Sequence, residues 1–187
     1  MRYATAHKAK TRRRIIETAA QRFRQDGIEA VGVASLMGGA GLTHGGFYSH
    51  FRSKEVLVAQ ALGFAMKETF ERLRQASEAG GLAAVIRYYL RPAHREQPGR
   101  GCAAAALGAE TARHPKSTRA VLAGEIEKLV HFIAGHLPSK DVEIAWAIFA
   151  TLVGTIQMAR VVSKPKLSDS ILKAGEAAAL QLAGLAA

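Results

Sequence analysis

One cysteine, Cys102, and five prolines occur in 187 residues, and aromatic side chains make up 6% of the chain. A lone thiol excludes an intrachain disulfide framework and fits a reducing compartment. Few prolines and few alternating Val/Ile/Thr runs argue against a sheet, while abundant Ala and Leu favour helix, so the expected fold is all-α. The N-terminus, MRYATAHKAKTRRR, has no apolar run, so neither a signal peptide nor a membrane anchor is expected and the chain is read as cytoplasmic, with no membrane partner. No GxSxG, P-loop, HExxH or dinucleotide fingerprint is present, and Glu110 with His114 is an i, i+4 pair lacking a nucleophile on the same turn. An enzyme is therefore not expected, nor a cofactor. His94, His114, His131 and His136 lack metal-ligand spacing, since side chains five apart, such as His131 and His136, point about 140° apart on a helix; no metal site is expected.

What the chain has is positive charge, unevenly placed. Lys and Arg number 26 against 15 Asp and Glu, net +11. Residues 1–54 carry 10 basic and 3 acidic side chains, net +7, and residues 55–187 carry 16 and 12. An anionic partner for the N-terminal quarter follows.

The first helix is expected from about Thr11 to Asp26, with Ile15, Ile16, Ala19, Ala20 and Phe23 on one face and Gly27 as its stop. The tail before Thr11, with Arg2, Lys8 and Lys10, reads as disordered when unbound, or as an arm for a minor groove. Arg12 to Arg14 form either a solvated face or a phosphate contact. Ser53 suits the N-cap of a long helix from Lys54 to about Ala79, which Gly80-Gly81 ends and Leu82 restarts. RPAHREQPGRG, from Arg91 to Gly101, reads as a loop or broken turn. Helices are then expected over Cys102–His114 and from Pro115 to about His136. Asp141 to Val162 is apolar almost all round, which predicts burial all round. After a linker at 163–168 comes a final helix from about Asp169 to Leu185. Two closing helices apolar beyond one stripe, in so short a chain, predict a homodimer through an intersubunit four-helix bundle.

VASLMGGAGLTHGGFYSHF, Val33 to Phe51, holds two helix-sized segments around Gly41-Leu42-Thr43. Leu36, Met37, Ala40, Leu42, Phe47, Tyr48 and Phe51 recur at three- and four-residue steps; Gly41 can take the positive φ of a tight turn and Thr43 can cap the helix that follows. The pattern is a helix-turn-helix whose second segment enters a major groove. Gly38 and Gly39 each cost about 1 kcal/mol of helix propensity relative to Ala, so the supporting helix is expected to be soft.

The run RRRIIETAAQRF, then Gly27, then AGLTHGGFYSHFRSKEVL resembles the TetR family of bacterial transcriptional regulators over residues 11 to about 60. Val31-Gly32 departs from the hydroxyl residues common there in the family. The resemblance implies about nine helices: an N-terminal three-helix helix-turn-helix domain, 1–53, and a C-terminal helical domain, 54–187, that binds an effector and dimerises. It implies a repressor that leaves a double-stranded DNA operator when an unknown small molecule binds. By likeness to the motif, Thr43, His44, Gly45 and Gly46 lie against bases or backbone, and Tyr48, His50 and Lys54 against phosphate. The pocket residues it implies are Phe64, Tyr88, Tyr89, Cys102, Phe132, Trp146 and Phe149. Two alternatives stay open: a constitutive DNA-binding protein without effector, and a thiol or electrophile sensor at Cys102, which sits at a loop-to-helix junction.

Overall fold

The computed structural model describes residues 2–185, with side chains from residue 7 onward, so the side chain of Arg2 lies outside the described residues. Among these residues there are eight α-helices and two 3-10 segments, one of which is the recognition segment.

Helix α1, Arg2–Asp26, is longer than the apolar pattern suggested. Nothing from Arg2 to Lys10 is Gly or Pro, and Ala and Lys propagate a helix well, so the basic tail continues α1. Ile15, Ala19, Ala20 and Phe23 are buried, and Gly27, at φ +88°, closes the helix by donating from its N–H to the Phe23 carbonyl. Helix α2, Val33–Gly39, buries Leu36 and Met37. Gly32 stands at its N-cap and has no side chain to bond the free amides.

Helix α3, Lys54–Tyr89, is opened by Ser53, whose hydroxyl accepts from the Val56 N–H at 3.2 Å. It is two helices joined by a kink at Gly80 and Gly81, and Gly81 has φ +59°. The stop and restart expected at this pair are present. Helix α4, Pro92–Glu96, and a 3-10 turn, Pro98–Arg100, order the stretch expected as a loop. Helices α5, Ala103–Thr111, α6, Lys116–Gly135, and α7, Val142–Val161, follow, and α8, Pro165–Leu182, begins four residues earlier than expected because Pro165 fits the first helical turn.

Helix α1 packs on α3, α3 on α6, and α7 on α8. The α7–α8 approach is close: a Cβ at position 175 would overlap the Thr155 side chain, which is why the buried Gly175 stands there. Helix α7 has the length and apolar composition of a membrane span, yet it buries Ala145, Ile148, Phe149, Leu152, Ile156 and Ala159 within the fold. Within one chain α7 is buried over part of its circumference. Trp146, Met158 and Val161 on α7 are exposed, as are Leu167 on α8 and Leu182 at its end, because one chain supplies neighbours for only part of each helix.

Candidate nucleic-acid interface

The turn before the recognition segment is made by Gly41 at φ +68°, and the Leu42 N–H returns to the Met37 carbonyl at 2.8 Å. His44–Ser49 then forms a 3-10 helix rather than the expected α-helix. Such a helix repeats every three residues, so Gly45 and Tyr48 share a side, and both are exposed. Thr43 occupies the N-cap, but its hydroxyl makes no capping hydrogen bond; it stays exposed beside His44. Phe47 anchors the segment from beneath, stacked on Phe51 with ring centroids 5.5 Å apart.

Seven residues were expected on this face, and the structure divides them. Thr43, His44, Gly45 and Tyr48 are exposed together, Tyr48 at 68%. Gly46 is half-buried over Met37, where a Cβ would touch the Met37 methyl at 3.7 Å. His50 is half-buried, and its Nδ1 has no partner among the described residues. Burial, then the nearby Lys8 and Arg12 charges, push its pKa below the ordinary histidine value, so it is uncharged at neutral pH. Lys54 is half-buried at the start of α3. Its ammonium donates to the Ile28 carbonyl at 2.7 Å and so braces the start of α3 against the loop after α1. Arg12 is likewise engaged within the unit, donating to the His50 carbonyl at 3.1 Å with its guanidinium 4.2 Å from the Phe51 ring centre.

The remaining positive charge of this end lies on α1 and just past the motif. His7, Lys10, Arg13 and Arg14 border a groove beside Leu42, and Arg52 is exposed between Phe51 and Ser53. Arg52 was missed in the sequence, although a basic residue directly after the motif was the available signal.

Toward the other end of α1, a small cavity of about 20 Å³ opens among α3, α4 and the loop at 100–102. Of the seven expected pocket residues, Tyr88, Tyr89 and Cys102 line it. Phe149 stands behind, its ring 6.3 Å from that of Tyr89, and Phe64 borders an adjoining groove. Phe132 is elsewhere, packed between Phe70 and His136, and Trp146 is exposed on α7. Periodicity places an aromatic on a face but does not say which face meets a cavity.

Polar residues that the sequence reading did not select shape the cavity. His94 is buried, with Nδ1 2.7 Å from the Tyr89 carbonyl and Nε2 accepting from the Cys102 N–H at 2.9 Å. That pair of partners requires the neutral ring with its proton on Nδ1, and burial lowers the pKa to about 4. A Cβ at position 101 would come within 2.7 Å of the His94 ring, so Gly101 is what lets this loop close. Cys102 is buried, its Sγ 3.8 Å from the Met66 sulfur.

Two polar ties join this region to the N-terminal unit. Arg24, buried on α1, donates to the Gly101 carbonyl at 2.9 Å and to Glu68 at 3.1 Å, while the Gly99 N–H donates to the Gln25 side chain at 3.2 Å. Farther along, the Glu110 carboxylate accepts from the Ile28 and Glu29 N–H groups at 3.1 and 2.9 Å. Glu29, Glu110 and His114 bring their ligand atoms close together, but Glu110 is committed to these amides and His114 pairs with Glu55 at 3.1 Å. Arg24 carried a signal, lying four residues after Ala20 on the apolar face of α1, where a charged residue demands partners.

Residues 15–61 match the family model described as bacterial regulatory proteins, tetR family. The chain is 41% identical over 69 residues to the HTH-type transcriptional regulator TtgR of Pseudomonas putida, a match covering 37% of this chain and 32% of that protein. The matched part thus spans about a third of the curated relatives' length. Over nearly the whole chain the fold is that of reduced Escherichia coli NemR, with TM-score 0.77 and 20% identity over 92% of this chain and 96% of that one. It is also that of RolR in complex with resorcinol, with TM-score 0.60 and 21% identity over 97% and 91%. The helix-turn-helix thus matches the tetR family model in sequence over residues 15–61, and the remaining helices share the arrangement of these solved structures.

Proposed function

We propose that this chain is a ligand-responsive repressor, reading an operator in double-stranded DNA as a homodimer and leaving it when a small molecule occupies the C-terminal region. The observation that carries the reading is the direct seat of α1 on the cavity wall: Arg24 and Gln25 hold Gly101 and Gly99, so a shift of that loop moves the helix on which the helix-turn-helix packs. In this reading residues 1–53 bind DNA and residues 54–187 bind effector and dimerise, in the cytoplasm. Thr43, His44 and Gly45 face bases, and Tyr48, Arg52 and the basic side of α1 face phosphates, which positions the protein without specifying sequence. The exposed apolar residues of α7 and α8 supply the dimer face, where a second copy would bury Trp146, Met158 and Val161. Two motifs so joined must stand about 34–36 Å apart, or a multiple, to enter successive major grooves. A ligand need only favour the conformation with another spacing. That RolR, of the same fold, is seen with resorcinol supports a small-molecule effector.

Selection of bound DNA from a random pool, then a screen for compounds that release the selected duplex, tests the proposal. Recovery of a palindromic site released by some small molecule is the expected result; tight binding that no compound reverses favours a constitutive DNA-binding protein. Cys102 in the cavity wall supports a second reading, release by a thiol-reactive compound that enters there. Cys102→Ser then abolishes such release, and persistent release removes the thiol from the account.

A further inference from the structure

The wall of the inner cavity is unusual in its charge. Arg72, Arg91 and Arg100 line it and no carboxylate does. Two buried donors there lack partners among the described residues, the Tyr89 hydroxyl and Arg72 Nη2. Tyr89 is 1% exposed, and a buried hydroxyl without a hydrogen bond is costly enough that a site for one is implied. Arg72 Nη2 stands 3.9 Å from Glu68, beyond hydrogen-bond range, because Glu68 is taken by Arg24 at 3.1 Å. His94 is neutral and cannot add a competing charge.

Arg72 and Arg100 are also the common border with the adjoining groove of about 490 Å³, which runs out past Gln21 and Phe64 toward α1. The acidic groups of that groove are Glu17 and Glu68, held by Arg13 at 2.7 Å and by Arg24. Arg100 makes no ion pair among the described residues. The inner cavity holds little more than a water molecule or one carboxylate group, whereas the groove has the size usual for a small organic ligand.

We propose that the site takes a small organic acid, its carboxylate at the inner cavity by Arg72 and Tyr89, its body in the groove beside Phe64, the one apolar side chain in a lining otherwise charged, polar or glycine. A carboxylate is acceptor-only and accepts from a planar guanidinium and a phenol together, which satisfies both unpartnered donors at once. A ligand on Arg72 would stand beside Glu68, the carboxylate that holds Arg24, and Arg24 ties Gly101 to α1. The inference rests on the ligand-responsive reading for its regulatory meaning, though not for binding itself.

The test uses the full chain with benzoate and hexanoate, their uncharged amides, and inorganic phosphate, read by calorimetry and thermal shift, with release of the selected duplex measured separately. Expected are saturable binding and a raised Tm for the acids and neither for the amides or phosphate. Arg72→Met abolishes acid binding. Tyr89→Phe, which removes only the unpaired hydroxyl and leaves the fold at least as stable, weakens it about tenfold. Amides or phosphate equal to the acids, wild-type acid affinity in Tyr89→Phe, or no saturable binding by either acid overturns the proposal. Acids that bind without releasing DNA leave this inference standing and remove the ligand-responsive reading; release only by uncharged compounds does the reverse.

Discussion

The arginines of the two ends of α1 behave differently. Toward its N-terminus Arg13 and Arg14 are exposed, Arg13 in an i, i+4 pair with Glu17, where solvent and salt screen the interaction to little. Toward its C-terminus Arg24 is buried and fully engaged, and Arg160 on α7 likewise donates to the His94 and Arg95 carbonyls at 2.7 and 3.2 Å. Desolvation is the largest influence on both guanidiniums, buried Arg24 and half-buried Arg160, lowering their pKa, and carbonyl and carboxylate partners hold them in place. The outer charges are free to meet phosphate; the inner ones fix how helices stand relative to one another. Net charge reveals the first kind and is blind to the second.

Breaking the inner arrangement carries the largest expected effect. Arg24→Met leaves the Gly101 carbonyl and Glu68 without their buried partner and costs about 3 kcal/mol in denaturant unfolding, whereas Arg13→Met changes stability by less than about 0.5 kcal/mol. Similar costs for the two arginines would erase the contrast.

Acid titration acts on the same core. Because the His94 pKa falls from 6.5 to about 4 on folding, the unfolded chain binds more protons between those values, and stability present above pH 6.5 is lost as pH falls toward 4. The expected loss is about 3 kcal/mol, read as a falling Tm. In His94→Gln this segment of the pH profile flattens; an unaltered profile assigns the proton elsewhere.

Smaller effects separate the roles within the DNA-reading end. Gly38→Ala meets open space on the exposed side of α2 and stabilises by about 1 kcal/mol, read by Tm, and an unchanged Tm would show that α2 is not limited by propensity. Arg52→Ala lowers the salt slope of DNA binding by about one unit. Lys54→Ala lowers it by less and instead costs about 1 kcal/mol of stability, as its bond to the Ile28 carbonyl requires. Equal slopes for these two variants would return Lys54 to the phosphate contacts.

Much of the architecture was legible because local chemistry decided it. Gly27, Gly41 and Gly81 each take the positive φ that turn or stop signals demanded, and Ser53 caps α3. The apolar stripe of α1 marked its buried face. Long-range pairing was not legible. The bond from Lys54 to the Ile28 carbonyl and the unbonded Thr43 hydroxyl at the N-cap are both set by tertiary placement and not by spacing. Phe132 and Trp146 share the helical spacing of Tyr89, yet only tertiary packing determines which of them borders a cavity. Asp141–Val162 is apolar on every side, and its open stripe is set by the number of neighbouring helices, which is a property of the chain's topology.

The decisive quantity is the affinity of the protein for its selected duplex with the inner cavity empty and saturated with an organic acid. Coupling through the Arg24–Gly101 contact predicts binding at least about tenfold weaker when the cavity is filled. Equal affinity in the two states would contradict it.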